Sequence, residues 1–419
     1  MGKAAGICSR VAVIGGGAAG MMAAIAAARN GAAVTIYEGN DRVGKKILAT
    51  GNGKCNFSNR DFSADAYYGN GLKGVDASRL AAFFQQFSVG DAVEFFEAAG
   101  MLIKEKNGYL YPWSEQASTV LDILRLELVR LGVEVKGAAK VTGIKKAENG
   151  ELVRLSPFEG DGGYRAVVIA CGGCAAAKTG SDGSGHQLAA QLGHRIVPTV
   201  PALVQLRCSD GYFKMVAGVR CEAGLVLRAG EWTQEERGEL LFTDYGISGI
   251  PVFQMSRQAA YLLKRKDPVT VSINLFPHMT QEEFREMCVK RLSRLQGESV
   301  EEFLLGMANK KINLCMAKQA GLKPGECAGA VGRKKLERLL HSYRDWRVHV
   351  AATNPLEQAQ VTAGGVDLAE VTDRLKSVLA PGVYFAGEVL DIDGRCGGYN
   401  LQWAWTSGYI AGKSAAAGI

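Results

Sequence analysis

The sequence predicts an α/β fold: a doubly covered parallel sheet, split along the chain, with an inserted β-barrel domain and a helical subdomain. Three observations predict it. Residues 10 to about 190 alternate strand and helix patterns. From about 195 the strands run close together, broken by Gly, Pro and Asp, with a mainly helical stretch from about 280 to 345. The final segment returns to the style of the first. The expected partition is 1–194 and 361–419 for the discontinuous first domain, 195–275 and 346–360 for the barrel, and 276–345 for the helical insertion.

The chain opens on "VAVIGGGAAG", Val11 to Gly20. Val11–Ile14 has the length and apolarity of a buried parallel strand, and Ala18–Arg29 reads as the helix after it. Gly15, Gly17 and Gly20 satisfy G-x-G-x-x-G. Gly15 allows a tight turn, Gly17 lets a pyrophosphate approach the backbone, and Gly20 lets helix and strand pack closely. Ala18 and Ala19 place free N–H groups at the helix N-terminus, where phosphate is favoured. "AAVTIYE" (Ala32–Glu38) reads as the second strand, and its terminal Glu38 suits the two hydroxyls of a ribose. An acid here, not Arg or Lys, argues against a 2′-phosphate. The unit is Rossmann-like and predicts an adenine dinucleotide.

Three later stretches extend the site. "RVGKKILATGNGKCNFSN" (Arg42–Asn59) contributes Gly44, Lys45, Lys46, Thr50, Gly51, Cys55 and Asn56, a constrained Gly- and Lys-rich loop able to embrace a pyrophosphate and a flavin ring. "VIACGGC" (168–174) closes the third strand with Ala170, Gly172 and Gly173, and Val141 in "AAKVTGI" joins this set. "YFAGEVLDIDGRCGGYNLQWAWTSG" (Tyr384–Gly408) is a strand, a turn and a helix. It contributes Gly387, Glu388, Asp393, Gly398, Asn400 and Leu401, with the helix N-terminus aimed at the flavin's O2 side.

The rest of the chain narrows the class. Net charge is +7, with 47% hydrophobic and 22% charged residues. The short runs Lys264–Lys266 and Arg333–Lys335 do not make a nucleic-acid footprint, so the expected partner is a small molecule and not a nucleic acid. The oligomeric state is left open. The most apolar helix, Ala18–Ala28, is too short for a membrane span, and no secretion signal is visible, which together predict a cytoplasmic protein without membrane contact. Ten scattered cysteines read as reduced thiols. Cys171 and Cys174 form C-x-x-C, a redox dithiol or two small residues in a tight turn; without a second ligand pair no metal site is expected. The five histidines do not cluster and read as structural.

The stretches "VIGGGAAGMMAA", "GKKILATGNGKCNFSN", "TGSDGSGHQLAAQLGH", "PALVQL", "GELLFTDYGISGIPVFQMS", "VTAGGV" and "YFAGEVLDIDGRCGGYNLQWAWTSG" span nearly the whole chain. In that order they resemble the HI0933-like, or aminoacetone oxidase, family of FAD-dependent oxidoreductases. The resemblance implies FAD with a Rossmann-like, a β-barrel and a helical domain. The chain departs from the family pattern at Cys171 and Cys396, where Thr is usual, at Cys174–Lys178, where Ser-Tyr-Pro is usual, and at Ile250, where Pro is usual.

One family branch looks like a flavin reductase that removes the C4=C5 and C6=C7 double bonds of 3-oxo bile acid intermediates. Another looks like an oxygen-reducing aminoacetone oxidase. The expected activity is therefore an NADH- or NADPH-linked ene-reductase, with amine oxidation second. A dithiol reductase using Cys171 and Cys174, or a non-catalytic or RNA-modifying flavoprotein, are further alternatives. No second G-x-G-x-x-G is present for a nicotinamide cofactor. Tyr399 and Tyr245 are the candidate donors to the enone oxygen.

Overall fold

A computed structural model describes residues 9–71, 74–146, 153–295 and 297–418. Two compact units emerge: Met1–Val200 with Leu356–Ile419, and Pro201–Pro355.

The first unit is built on five parallel strands: β1 (Arg10–Ile14), β2 (Ala33–Tyr37), β3 (Glu134–Lys136), β4 (Ala166–Ile169) and β5 (Val383–Phe385). Their order is β5-β4-β1-β2-β3. Val11, Ala12 and Val13, with Val167, Val168 and Ile169, are fully inaccessible. Covered on both faces, these central strands need apolar residues at every position, not at alternate ones. Ile14 lies beside Tyr37 and Ile169, and Ile169 beside Phe385, so four strands end at one edge. The carboxyl edge of an open parallel sheet is where such folds bind ligands.

Helix α1 (Ala18–Arg29) is buried from Ala19 to Ala27 because it is enclosed, packing on β1 and β2 and along the C-terminal helix Tyr399–Ala417. That second contact is backbone-close: a Cβ on Gly412 would stand 2.1 Å from the Ala23 carbonyl oxygen. Between β2 and β3 lie the helices Ala77–Gln86, Val89–Ala98 and Ala117–Arg130. Asp76 caps the first by accepting from Ser78 N–H, and Ser88 with Asp91 forms a capping box on the second. The hairpin Ile103–Lys106/Tyr109–Pro112 pairs with Ser58–Asn59 in a three-stranded sheet. Gly143–Lys146 pairs antiparallel with Val153–Ser156.

In the second unit six antiparallel strands close a barrel: Leu206–Cys208, Gly246–Ser248, Trp232–Phe242, Arg220–Ala229, Val269–Asn274 and Trp346–Thr353. Helix Ile250–Lys264 packs on its strands. Helices between Gln281 and Ser342 fill the connection from Val269–Asn274 to Trp346–Thr353. The unit boundaries fall at 200/201 and 355/356, inside the expected 194/195 and 360/361. The ribbon of Ile196–Ala202 with Val361–Val366 accounts for the first of these shifts, since pairing with a strand of the first unit draws residues 196–200 into it. Among the described residues no helix is long and apolar enough to cross a membrane.

Candidate functional site: a dinucleotide cradle at the sheet's carboxyl edge

The loop after β1 is shaped by close approach. A Cβ on Gly20 would stand 1.9 Å from the Gly15 carbonyl oxygen, so only glycine lets α1 start this near the strand. Around Gly17 the same construction meets nothing within 4 Å, which leaves open space before the helix. No side chain caps α1, so the amides of Ala18, Ala19 and Gly20 face that space without a competing acceptor.

Glu38 follows β2 and is 8% exposed. Its Oε2 accepts from Gly16 N–H at 2.7 Å. Its Oε1 accepts from Asn40 N–H at 2.7 Å and Asn40 Nδ2 at 2.9 Å. Oε2 keeps a lone pair free, so the carboxylate is oriented and still able to accept from a ribose hydroxyl. Asn40 was not anticipated; both its backbone N–H and its side-chain amide donate to the acid two residues before it, a contact that neither strand nor helix periodicity signals.

Lys46 and Glu388, 342 residues apart, meet at 2.8 Å. Glu388 also accepts from Thr362 N–H at 2.7 Å, and Lys46 donates to the Ala175 carbonyl at 3.3 Å. Lys45 instead pairs with Asp41 at 2.5 Å. Gly44 starts the short helix Lys45–Ala49, and Thr50 spends its hydroxyl on the Ile47 carbonyl at 2.6 Å. Gly51 sits in the turn that follows. Cys55 is fully buried, its thiol pushed up to about 11 by burial, so it packs and does not react. Asn56 leaves its Oδ1 buried without a partner.

Beside Asn56 stands Gly398, at φ +95°, where a Cβ would meet the Ser58 carbonyl oxygen at 2.4 Å. It begins the C-terminal helix, which likewise has no side-chain cap. Asn400 is turned inward: Nδ2 donates to Gly394 O and Oδ1 accepts from Gly394 N–H, both at 2.8 Å. Leu401, half-buried, completes that first turn and packs against the core. Asp393 is buried in a bridge with Tyr68. Gly387 passes against Ala19, and donates its N–H to Ser407 Oγ at 2.8 Å. Val141 and Ala170 are buried, while Gly172 and Gly173 pass close to Ser181 and Thr362.

The residues therefore fit an adenine dinucleotide: an uncapped helix before open space, an oriented ribose acid, an orphaned amide oxygen and a second uncapped helix on one sheet edge. The other expected residues divide. Cys171 and Cys174 are free thiols. Burial drives Cys171 up to about 12 and raises Cys174, the opposite of an activated dithiol. Tyr399 donates its hydroxyl proton to the Asp61 carbonyl at 2.9 Å, and burial raises its pKa. Tyr245, in the barrel unit, accepts from Asn354 Nδ2 at 3.0 Å under the Arg207 guanidinium. His194 lies between Glu370 (3.0 Å) and Ser377 (2.7 Å), a structural role. Among the described residues no group of three or more His, Cys, Asp or Glu could hold a metal ion.

A split parallel sheet with this cradle defines a dinucleotide-binding oxidoreductase of the flavoprotein class. More narrowly, the chain belongs to the family of the HI0933-like protein Rossmann domain, whose model matches residues 9–414, and FAD is the cofactor that membership implies. It is 40% identical over 414 residues to a 3-dehydro-bile acid delta(4,6)-reductase of Clostridium scindens, covering 97% of this chain and 99% of that one. It is 29% identical over 409 residues to a ribosomal RNA dihydrouridine synthase of Haemophilus influenzae, covering 96% of this chain and 97% of that one. It is 30% identical over 406 residues to that of Escherichia coli, covering 96% of each. Against the expectation of a small molecule and no nucleic acid, the relatives are thus of both kinds by name.

Proposed function

We propose that this protein is an FAD-dependent ene-reductase that reduces conjugated C=C bonds of a 3-oxo steroid or bile acid, with NADH or NADPH as electron donor. The observation that carries the reading is the 40% identity, end to end, to the bile acid delta(4,6)-reductase. The rRNA synthases support the same bond chemistry: dihydrouridine differs from uridine by two hydrogens across a C=C conjugated to a carbonyl. Both substrate types thus ask for hydride at the β- or δ-carbon and a donor at the carbonyl oxygen.

When bound, reduced FAD would supply the hydride. The chain's own residues hold the reactants. The α1 amides would hold the pyrophosphate, Lys46 would lend a charge it shares with Glu388, Glu38 would fix the ribose, and the C-terminal helix N-terminus would favour negative charge beside it. Tyr399, once its hydroxyl leaves the Asp61 carbonyl, would hold the enone oxygen as charge develops, and a proton then completes the reduction at carbon.

The test is anaerobic. Holoenzyme reduced with NADH or NADPH is mixed with a 3-oxo-4,6-diene bile acid. Stoichiometric flavin reoxidation with loss of dienone absorbance is expected. Reoxidation by oxygen alone, with aminoacetone reducing the flavin where NAD(P)H fails, would overturn the reading in favour of an amine oxidase. Reoxidation by a uridine-containing rRNA fragment and not by the dienone would move it to RNA.

A further inference from the structure

The hairpin Ile103–Lys106/Tyr109–Pro112 presents two unlike faces. Leu110 and Pro112 point inward and are buried. Tyr109 and Tyr111 point outward, and Trp113 continues the alternation at 64% exposure. The register pairs Lys106 with Tyr109 and Lys104 with Tyr111. Trp113 N–H donates to the Leu102 carbonyl at 2.7 Å, which sets Leu102, 73% exposed, beside it. One face thus carries Tyr109, Tyr111 and Trp113 in a row, flanked by Leu102, Lys104 and Lys106. At about 3.4 Å per residue the row runs about 14 Å.

Its inner end abuts the cradle. A Cβ on Gly397 would lie 2.3 Å from the Tyr109 ring, one residue before the first turn of the C-terminal helix. Neither the Tyr109 nor the Tyr111 hydroxyl has a hydrogen-bond partner among the described residues. At the outer end Glu115, at φ +51°, pairs with both Lys104 (2.5 Å) and Lys54 (2.8 Å). Two ammonium groups on one carboxylate leave one positive charge, fixed by a backbone conformation that costs energy to hold.

We propose that this aromatic row is the platform on which a planar, polycyclic substrate lies, with its terminal carboxylate at the Lys54–Lys104 pair beside Glu115 and its reducible end toward Gly397. The substrate class rests on the ene-reductase reading; the platform is this chain's own geometry. Aromatic faces beside an apolar neighbour suit a flat hydrocarbon body, and the excess charge at one edge suits one acid group. A nucleic acid is less favoured, because Lys54, Lys104 and Arg60 are already tied to Glu115 and Glu105 and a phosphate track needs repeated unpaired cations.

Binding to oxidised holoenzyme tests this apart from turnover, through tryptophan quenching and the flavin's visible spectrum. The probes are a 3-oxo-4,6-diene bile acid, a neutral 3-oxo-4,6-diene steroid and a single-stranded rRNA fragment. Trp113→Ala is expected to weaken both dienones about tenfold, roughly 1.4 kcal/mol. Lys54→Gln with Lys104→Gln should weaken the acid about tenfold more than the neutral dienone, with the change in KM and not kcat. Lys413→Gln, on the C-terminal helix, is the control. Unchanged dienone affinity in both variants, with normal turnover, overturns the platform and leaves the ene-reductase standing. Absence of both dienone binding and dienone turnover overturns the reading beneath it. Trp113-dependent binding of the rRNA fragment alone reassigns the face to RNA and overturns this proposal.

Discussion

Replacing Gly20 by alanine puts the cradle under a defined steric load. The new Cβ would stand 1.9 Å from the Gly15 carbonyl oxygen, whereas ordinary contact begins at 3.4 Å, a deficit of 3.4 − 1.9 = 1.5 Å. Neither side can retreat. Gly15 N–H is tied to the Tyr37 carbonyl at 2.8 Å, and a Cβ on Gly15 would itself meet the Ala170 carbonyl oxygen at 2.6 Å, so the loop is wedged between β2 and β4. Behind α1 the C-terminal helix is equally close, a Cβ on Gly408 lying 2.5 Å from the Ala19 carbonyl oxygen. Overpacking of this kind costs about 1–3 kcal/mol, and the upper end applies because both flanks are backbone. Relief by tilting α1 would turn the Ala18 and Ala19 amides from the pyrophosphate, and about 3 kcal/mol corresponds to roughly a hundredfold in FAD affinity. Three assays report it: flavin content after gel filtration, FAD titration of apoprotein, and melting temperature with and without FAD. Gly160→Ala, where a Cβ meets nothing within 4 Å, is the control. A Gly20→Ala protein with full flavin occupancy and a wild-type melting temperature would refute the reasoning.

Four shorter predictions follow. Glu38→Gln keeps the shape but loses the anionic acceptor, so FAD should bind about tenfold more weakly by equilibrium dialysis, with the fold intact by circular dichroism. Cys171 should resist alkylation at pH 8 under native conditions: with its thiol at about 12, roughly one molecule in ten thousand is thiolate there, and rapid labelling followed by mass spectrometry would contradict the raised thiol. The same raised thiol contributes stability that is full below its ordinary 9.0 and is lost as pH rises toward 12; Cys171→Ala should flatten that alkaline limb in urea titrations. Burial holds His194 below its usual 6.5, so the unfolded chain takes up the proton first. Stability is then present above 6.5 and lost as pH falls through the lower folded value, and His194→Gln should flatten that acid limb while lowering stability at neutral pH by about 2 kcal/mol.

What the sequence made legible was governed by local rules. The Val11–Gly20 run carries strand, turn and helix within one short span, and the structure has β1 end at Ile14 and α1 start at Ala18. Glu38 was readable because its distance from the glycines is set by one helix and one strand. Residues 60–115 were barely readable. Tyr109-Leu110-Tyr111-Pro112-Trp113 alternates aromatic with apolar residues, so every position is hydrophobic, and only register separates the exposed row from the buried one. Long-range pairs were hidden for a different reason. Lys46 with Glu388, and Ser58 Oγ donating to Gln402 Oε1 at 2.6 Å, join segments more than three hundred residues apart, which no local period encodes. Asn400 was legible as a site residue, but the structure gives its amide to the Gly394 turn.

That division bears on where specificity would reside. On the proposed function, a steroid enone and a uracil ask the same of the cofactor half, so the cradle around Gly20, Glu38 and Gly398 has no reason to differ between them. The difference must come from surfaces that meet the substrate beyond its reacting bond. Cys396, where the family resemblance leads one to expect Thr, lies between Arg395 and Gly397, the residue that abuts the Tyr109 ring, and burial raises its thiol. Replacing a hydroxyl by a thiol there removes a good hydrogen-bond donor and leaves a polarisable, largely apolar surface beside an aromatic row. A flat hydrocarbon gains from that exchange, while a nucleobase edge, which needs its polar atoms met, loses. Cys396→Thr is therefore expected to weaken dienone binding several-fold in the quenching assay. A gain in dienone affinity would show that the thiol does not face the substrate.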